Sequence, residues 1–314
     1  MPKIKTAVVG AGYLGRFHAE KYARLADSDL RAVVDIDAER ASAIAAEHDT
    51  EALTDYRGLL GKVDAVSIVV PTSLHFDIAS AFLEHGTHVL VEKPVTTTVE
   101  QAEELIELAR RGQRVLQVGH LERFNAAMLN LDRYLTRPVF IESHRLAPFK
   151  PRGTDVSVLL DLMIHDIDII LNVVRSDLES IDASGAAVLS NAIDIANARL
   201  VFASGCVANV TASRISAKTE RKMRVFQEDA YLSVDLHQRV LSVSRKTDGE
   251  MFPGVPNIET TREEFEDSDA LKTEIESFLQ AVRTGSDPLV SGEDGKRALQ
   301  TATEIGRLVG GSGI

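Results

Sequence analysis

Cysteine is nearly absent from this sequence: Cys206 is the only one among 314 residues. A single cysteine cannot form a disulfide within the chain, and it cannot supply the paired thiolates of a structural zinc site. This usage is typical of proteins from a reducing compartment, so we expect a cytoplasmic protein. Cys206 itself is interpreted as a small buried apolar side chain.

Long apolar runs and positive charge are also scarce. No run approaches the roughly 18 apolar residues that a membrane-spanning helix needs. Residues 1–5 lead directly into the first predicted strand, which leaves no room for a signal peptide. With 35 Lys and Arg against 47 Asp and Glu, the formal net charge is −12. This charge argues against general binding to nucleic acids or to an anionic membrane surface, so we expect neither as a partner.

The first 120 residues show apolar strand-like runs separated by helix-like stretches. The runs are nearly continuous in apolar residues, which is typical of a parallel sheet covered by helices on both faces. The predicted strands of this part are residues 7–9, 30–34, 65–70, 88–91 and 115–118. We therefore predict an α/β fold in which residues 1–121 form a doubly wound Rossmann domain that binds a dinucleotide.

The remainder of the chain has a different pattern. Loosely alternating strand-like stretches follow one another at the spacing of hairpins, which is typical of an antiparallel sheet. Helix-like stretches are predicted at residues 156–174, 270–284 and 292–309. We therefore predict that residues 122–314 form an α+β domain with an open antiparallel sheet. Because the second face of a broad sheet needs cover, this pattern favours a homo-oligomer.

The segment Gly10-Ala11-Gly12-Tyr13-Leu14-Gly15 stands between a predicted strand and a predicted helix. In a dinucleotide-binding turn, glycines permit the tight turn, the approach of a pyrophosphate and close helix–strand packing. The helix N-terminus then offers N–H groups to the phosphates. Asp35 ends the second predicted strand, where a carboxylate can accept a hydrogen bond from a ribose hydroxyl and repel a 2′-phosphate. The pattern favours NAD over NADP, and the alternative is a glycine-rich turn in an unrelated α/β protein.

Three further clusters lie where chemistry is expected. Residues 71–75 and 92–94 follow predicted strands, and ligands of doubly wound sheets bind at the carboxyl ends of strands. Asp161 and His165 are four residues apart in a predicted helix, so they share one helix face. Histidine suits proton acceptance because its ordinary pKa of about 6.5 lies near working pH. A lysine such as Lys93 can stabilise charge that develops on a substrate oxygen.

Two other interpretations of His165 remain open at this point. It can be a structural histidine inside a helix, or it can ligate a metal together with Asp161, Asp166 and His144. No paired histidine or cysteine spacing supports the metal, and we predict no metal site.

Together these motifs resemble the Gfo/Idh/MocA family of oxidoreductases over essentially the whole chain. The resemblance rests on residues 10–15, 71–75, 92–94, 123–125 and 161–165. It implies three catalytic residues, namely Lys93 to position substrate and nicotinamide, Asp161 to hold the substrate or tune the base, and His165 as the general base. It also implies a cis peptide before Pro94 and an open sheet used for oligomerisation. The cofactor-binding residues that it implies are Gly10, Gly12, Tyr13, Leu14, Asp35, Pro71, Thr72, His75, Glu92, Lys93 and Arg123.

Two basic stretches bear on the substrate. Residues 144–152 carry three permanent cations and no acid, and residues 214–224 carry five cations against Glu220. They indicate either an anion site for a diphosphate or carboxylate, or solvated surface charge. Together with residues 119–124 and 160–168, they resemble the nucleotide-sugar members of the family, such as the UDP-N-acetylglucosamine 3-dehydrogenases that serve lipid A variants. That resemblance implies oxidation of a sugar 3-hydroxyl to a ketone.

The chain departs from the family pattern in two places. Residues 155–160 stand where many members carry a glycine-rich stretch, and Ala126 stands where a proline usually follows Arg-Phe-Asn. The first departure is expected to reshape the substrate pocket. Two alternative functions are a dehydrogenase of a free polyol or monosaccharide such as inositol, and a non-catalytic NAD-binding sensor. A complete Lys93, Asp161 and His165 set argues against the sensor.

Overall fold

The computed structural model describes residues 2–149 and 156–310. Its tertiary contacts divide the chain into two compact units. The first comprises the residues up to Leu121 together with Asp269–Lys296. The second comprises Glu122–Ser268 together with the residues from Arg297 onward. The division falls after residue 121 as in the sequence-based prediction, but that prediction assigned residues 269–296 to the second domain.

The first unit contains a parallel sheet of six strands. These are β1 Ile4–Val9, β2 Ser28–Val34, β3 Glu51–Leu53, β4 Ala65–Ile68, β5 His88–Glu92 and β6 Leu116–Gly119. Their order is β3-β2-β1-β4-β5-β6, and every neighbouring pair is parallel. The predicted Rossmann fold is confirmed. The order reverses between β1 and β4, so the end of β1 lies at the switch point where doubly wound sheets bind ligands.

Four helices connect these strands, and their first turns show why they begin where they do. Their bounds are α1 Tyr13–Arg24, α2 Ala38–Glu47, α3 His75–Glu84 and α4 Val99–Gly112. The Asp37 carboxylate accepts hydrogen bonds from the backbone N–H groups of Glu39 and Arg40. The Thr98 hydroxyl accepts one from the N–H of Gln101. Both side chains satisfy donors that a helix start otherwise leaves unpaired.

A fifth helix of the first unit, α7 (Ala270–Thr284), comes from the segment that the sequence assigned to the second domain. Its buried residues Leu271, Ile275 and Phe278 share one core cluster with Val8 of β1 and Tyr22 of α1. The assignment was wrong because an amphipathic pattern reveals the apolar face of a helix but not which core that face covers.

The second unit contains a sheet of eight strands, most of them antiparallel. These are β7 Pro138–Leu146, β8 Leu178–Ala186, β9 Ile195–Phe202, β10 Val207–Ser213, β11 Glu220–Gln227, β12 Ala230–Asp235, β13 Val240–Phe252 and β14 Val255–Glu264. The order is β14-β13-β12-β11-β7-β10-β9-β8. Only the central pair of β7 and β10 is parallel among these strands. The predicted antiparallel sheet is confirmed apart from that pair.

One face of this sheet carries the core of the second unit. The helices are α5 Ala126–Leu131, α6 Ile164–Val174 and α8 Gly292–Leu308, and the division between the units runs through α8. Ile141 of β7 and Val225 of β11 share a buried cluster with Ile167 and Ile170 of α6. The alternate residues of these strands are mostly half-buried, so the other face of the sheet is less covered. No helix of the described ranges is long and apolar enough to cross a membrane.

Candidate active site

The glycine turn after β1 has the geometry that the motif predicts. Gly10 has a φ of +103°, which side chains rarely adopt, and a Cβ there would lie 2.2 Å from the carbonyl oxygen of Val69. A Cβ on Gly15 would lie 1.8 Å from the carbonyl oxygen of Gly10. The segment that follows β4 therefore excludes a side chain at Gly10, and the close packing of α1 against the turn excludes one at Gly15.

The start of α1 is open to a ligand. Gly12 is the N-cap, and a Cβ built on it has no atom of the described residues within 4 Å. Tyr13 is 76% exposed, and Leu14 packs against the core of the first unit. The first-turn N–H groups of a helix have no intrahelical partners and carry partial positive charge. Such a helix start is suited to a phosphate group.

Asp35 follows β2 and is fixed by the backbone around it. Its Oδ2 accepts a hydrogen bond from the Ala11 N–H at 2.8 Å, and its Oδ1 accepts one from the Asp37 N–H at 2.9 Å. The Arg40 Nη1 lies 3.6 Å from Oδ2. The carboxylate is thus held against the glycine turn, as expected for a group that accepts a hydrogen bond from a ribose next to a helix-bound pyrophosphate.

Replacing Asp35 by asparagine is expected to lower the preference for NAD over NADP by about tenfold or more, because the variant loses the negative charge that repels a 2′-phosphate. The asparagine oxygen can still accept the hydrogen bond from Ala11. The ratio of kcat/KM with NAD to that with NADP measures the effect. Asp29→Asn in β2, the strand that Asp35 follows, is the matched control, and an equal change in that variant would contradict a specific role for Asp35.

His75 begins α3, and its side chain bonds to the backbone of two neighbouring segments. Its Nδ1 lies 2.9 Å from the carbonyl oxygen of Pro94, and its Nε2 lies 2.9 Å from that of Val70. The side chain is buried, and burial lowers the pKa of the imidazole despite these two carbonyl groups. Both ring nitrogens thus face backbone carbonyls, and His75 links the loop of Pro94 to the segment of Val70 that precedes Pro71 and Thr72. A contact of His75 with the cofactor stays a prediction.

The Glu92-Lys93-Pro94 segment follows β5, and the peptide between Lys93 and Pro94 is cis, as the resemblance implies. Glu92 is held from two sides. Its Oε1 lies 3.2 Å from the His18 Nε2, and a Cβ on Gly119 would lie 3.0 Å from its carboxyl group. Lys93 is half-buried. The backbone that carries Lys93 is thus fixed by the residues on both sides of it.

In the second unit, the predicted Asp161 and His165 pair lies where a π-helical turn meets an α-helix. Residues Leu159–Met163 form the π turn, and α6 begins at Ile164. Asp161 is exposed and His165 is half-buried, whereas most of α6 is buried. The sequence predicts one continuous helix here. Single π turns occur frequently at functional sites, and no simple periodicity reveals them.

Asp166 is committed to an internal ion-pair network. Its Oδ1 accepts a hydrogen bond from the Ser143 hydroxyl at 2.6 Å, and its Oδ2 pairs with Arg145. Arg145 also contacts Glu122 at 2.8 Å. Burial alone would lower the pKa of Arg145, but the two carboxylates raise it. These contacts join β7 to α6 and occupy both carboxyl oxygens of Asp166. His144, the other residue considered as a metal ligand, lies 3.5 Å from a carboxylate oxygen of Glu220.

Arg123 is placed inside the second unit. It is 6% exposed, its Nη2 donates to the Asn172 Oδ1 at 2.8 Å, and its Nη1 lies 3.4 Å from the Asp168 Oδ1. The guanidinium therefore ties the segment before α5 to α6. The contact of Arg123 with a cofactor stays a prediction.

The two basic stretches are largely neutralised by carboxylates. The described ion pairs of these cations are Arg145 with Glu122 and Asp166, Arg214 with Asp194, Lys218 with Glu220, Arg221 with Glu122, and Arg224 with Glu142. Lys150, Arg152 and Asp155 lie outside the described residues. Paired cations attract a diphosphate less strongly than the sequence count suggests.

A hydrogen-bonded group behind Glu92 has no counterpart in the sequence analysis. The Tyr22 hydroxyl lies 2.8 Å from the Ser67 Oγ, which in turn lies 3.1 Å from the His18 Nδ1. His18 then contacts Glu92, and the buried Glu274 of α7 lies beside both. The polar residues of this group stand among helical and strand residues with no motif spacing, so no sequence signal could have found them.

Two family models match the chain. One, described as an oxidoreductase family with an NAD-binding Rossmann fold, matches residues 4–120. The other, described as the GFO/IDH/MocA C-terminal domain, matches residues 117–233.

Individual proteins also align over nearly the whole chain. The UDP-N-acetylglucosamine 3-dehydrogenase of Acidithiobacillus ferrooxidans is 40% identical over 306 residues, which cover 97% of each chain. A solved structure of that enzyme superposes with a TM-score of 0.92 over 98% of each chain, at 39% identity. The scyllo-inositol 2-dehydrogenase of Bacillus subtilis is 27% identical, covering 93% of this chain and 90% of that protein.

The glycine turn, the helix N-terminus and the fixed Asp35 lie within the residues that match the NAD-binding Rossmann model. The C-terminal domain model of the same family matches the next part of the chain. The chain belongs to the Gfo/Idh/MocA family of NAD-dependent oxidoreductases.

Proposed function

We propose that this protein oxidises a sugar hydroxyl to a ketone, and that its substrate is a nucleotide sugar oxidised at the 3-hydroxyl, such as UDP-N-acetylglucosamine. The observation that carries the proposal is the 40% identity to a UDP-N-acetylglucosamine 3-dehydrogenase over 97% of both chains. Lys93, Asp161 and His165 supply the polar groups that the reaction needs. The inositol dehydrogenase relative is more distant, at 27% identity.

The first unit fits the cofactor. The glycine turn leads directly into α1, and the close packing at Gly10 and Gly15 leaves no room for side chains there. Asp35 lies beside this turn, where it accepts a hydrogen bond from the Ala11 N–H. We propose that Gly12, Tyr13 and Leu14 hold the pyrophosphate and that Asp35 binds the adenosine ribose. We propose Pro71 and Thr72 as further contacts. When bound, NAD supplies the acceptor for the hydride that leaves the substrate carbon.

Three side chains carry the remaining chemistry in this proposal. His165 accepts the proton of the substrate hydroxyl as the general base. Lys93 donates a hydrogen bond to the same oxygen and stabilises the charge that builds on it as the proton leaves. Asp161, one turn before His165, orients the imidazole or the substrate. The hydroxyl proton goes to His165, and NAD, when bound, would be the acceptor for the hydride, so the two-electron oxidation balances.

We further propose a cytoplasmic homo-oligomer, either a dimer or a tetramer. The half-buried rings of Phe140, Phe226 and Tyr231 form a cluster on the less covered face of the second sheet, with centroids 5.7 and 5.0 Å apart. Exposed apolar patches of this kind are typical of protein interfaces. The 3-keto product would suit an aminotransferase partner, as in the formation of lipid A variants. Light scattering of the purified protein measures the oligomeric state.

A free polyol or monosaccharide is the second candidate substrate. The observation that favours it is the pairing of the basic side chains with carboxylates, for example Arg224 with Glu142 at 3.3 Å, because such cations attract a diphosphate weakly.

A substrate panel tests the proposal. NADH absorbance is followed with UDP-N-acetylglucosamine, UDP-glucose, UDP-N-acetylglucosaminuronate, myo-inositol and glucose, each with and without 2-oxoglutarate to recycle a tightly held cofactor. Because a 3-keto sugar product lies uphill, each reaction includes a ketone trap, and mass spectrometry follows the loss of two hydrogens.

We expect turnover of UDP-N-acetylglucosamine and little or none of the free polyols. Turnover of free polyols alone would overturn the substrate proposal and leave the roles of His165, Asp161 and Lys93 standing. NAD binding without turnover of any substrate would favour the sensor instead.

A further inference from the structure

Three ionisable side chains of the first unit meet behind the Glu92-Lys93-Pro94 segment. One ring nitrogen of His18 and one carboxyl oxygen each of Glu92 and Glu274 lie within 4.8 Å of one another. They come from α1, β5 and α7, and His18 and Glu274 are fully buried. Nothing in the proposed reaction requires Glu274. A second carboxyl group at this place therefore needs a physical explanation.

The hydrogen bonds around His18 fix the direction in which protons are donated. If Glu92 is ionised, it accepts from the His18 Nε2–H, so Nδ1 is the acceptor of that ring. Nδ1 then accepts from the Ser67 hydroxyl, which accepts in turn from the Tyr22 hydroxyl. In this arrangement each polar group in the series of hydrogen bonds has a partner. The Nε2–H of His18, the last donor of the series, goes to Glu92, so the series offers no donor to Glu274.

Glu274 has no such partner. Both of its carboxyl oxygens are buried, and neither has a hydrogen-bond partner among the described residues. The Gln117 side chain donates to the backbone carbonyl of Glu274 at 3.2 Å and not to its carboxyl group. An unpaired buried carboxylate is strongly disfavoured in its charged form. Burial, and then repulsion from Glu92, raise the pKa of Glu274 well above its ordinary value.

Among the described residues, the titratable groups found to interact with Glu274 come from two neighbouring elements. Helix α1 contributes His18 and Tyr22, and β5 contributes Glu92. Two ion pairs of α7 involve other residues: Lys21 pairs with Asp269 at the start of the helix at 2.9 Å, and Lys272 pairs with Glu276 at 3.7 Å. In the part of the chain that the structure describes, no cation pairs with the Glu274 side chain.

We propose that Glu274 is held as a neutral carboxylic acid, so that Glu92 carries the only negative charge of the pair and remains the fixed acceptor beside Lys93. Glu274 is then a positioning residue: through Glu92, which His18 and Gly119 confine from the other sides, it acts on the backbone that leads into Lys93. This functional consequence rests on the role proposed above for Lys93. The state of the carboxyl group itself does not depend on any activity.

The dependence of thermal stability on pH tests the proposal without turnover. At pH 4 the carboxyl group is protonated in the folded protein and largely protonated in the unfolded one. As pH rises above about 4.5, the unfolded chain loses this proton and the folded protein keeps it, so wild-type stability falls. Glu274→Gln cannot titrate. We expect its Tm to gain about 2–4 °C relative to wild type between pH 4 and pH 8.

Glu276→Gln is the matched control, because Glu276 is an exposed residue of the same helix. Its Tm difference from wild type is expected to stay constant over this pH range. A constant difference for Glu274→Gln as well would overturn the proposal. So would a fall in wild-type Tm on addition of EDTA that Glu274→Gln does not show, because a bound divalent cation would then neutralise the two carboxylates.

Infrared spectroscopy of wild-type protein with isotope-labelled glutamate gives a second measurement that needs no variant. The carbonyl band of a protonated glutamic acid is expected at pH 7, and its absence would refute the neutral state. In kinetics, Glu274→Ala is expected to lower kcat about tenfold, and Glu274→Gln is expected to restore most of it. Loss of all activity together with an unchanged pH-dependent Tm difference would count against the proposed reaction and not against the neutral Glu274.

Discussion

Asparagine in place of His165 is expected to lower the rate of sugar oxidation by about 10²–10⁴-fold, because the substrate hydroxyl loses the group that takes its proton. Asparagine keeps a polar side chain of similar size at a half-buried position, so the fold should persist. NAD binding should also persist, since the glycine turn and Asp35 belong to the first unit. NADH absorbance measures the rate, and calorimetric titration measures the Kd for NAD.

His237→Asn is the control for this experiment, because His237 is exposed in the turn between β12 and β13 of the same unit. That variant is expected to keep the wild-type rate. If His165→Asn also keeps it, His165 is not the general base. An NAD-dependent output that survives the substitution would point to the sensor function.

Alanine in place of Gly12 is expected to weaken NAD binding at least about tenfold, equivalent to about 1.4 kcal/mol, while leaving the fold intact. A Cβ at this position meets no atom of the described residues within 4 Å, so the protein alone tolerates it. The added methyl group projects from the helix cap where the pyrophosphate must approach the backbone. Calorimetric titration with NAD and a thermal melt of the free protein separate the two effects.

Alanine substitutions at two other glycines are the controls for that experiment. Gly58→Ala, which also meets no atom within 4 Å, is expected to change neither the Tm nor the Kd for NAD. Gly15→Ala is expected to lower the Tm, because its Cβ would lie 1.8 Å from the carbonyl oxygen of Gly10. A normal Kd for NAD in Gly12→Ala would mean that the cofactor does not approach the backbone at this turn.

The sequence alone was sufficient for the features that depend on local spacing. Gly10 to Gly15 and Asp35 predicted the turn, the helix start and the carboxylate that the structure brings together, because each needs only the connectivity of strand, turn and helix. The apolar runs predicted the parallel sheet of the first unit for the same reason. The alternating stretches predicted most of the second sheet, although not the parallel pairing of β7 with β10.

The motifs did not predict which groups the side chains of their residues bind within the protein. His75 and Arg123 belong to the recognised motifs, yet their side chains bind backbone carbonyls and α6, respectively. A motif gives the position of such a residue along the chain, but not the acceptor that folding brings to its nitrogen atoms. Asp161 and His165 lie where the motif placed them, and their catalytic roles remain a prediction that His165→Asn tests.

What only the tertiary structure decided is which distant segments meet. Helix α7 covers the first sheet because its apolar face fits the core around Tyr22, far away in sequence. That packing brings a carboxyl oxygen of Glu274 within 4.8 Å of a carboxyl oxygen of Glu92 and a ring nitrogen of His18. The ionisation of a carboxyl group depends on burial and on the charges around it. Both are properties of the folded chain, so a sequence that predicts the cofactor and the family cannot predict this acid.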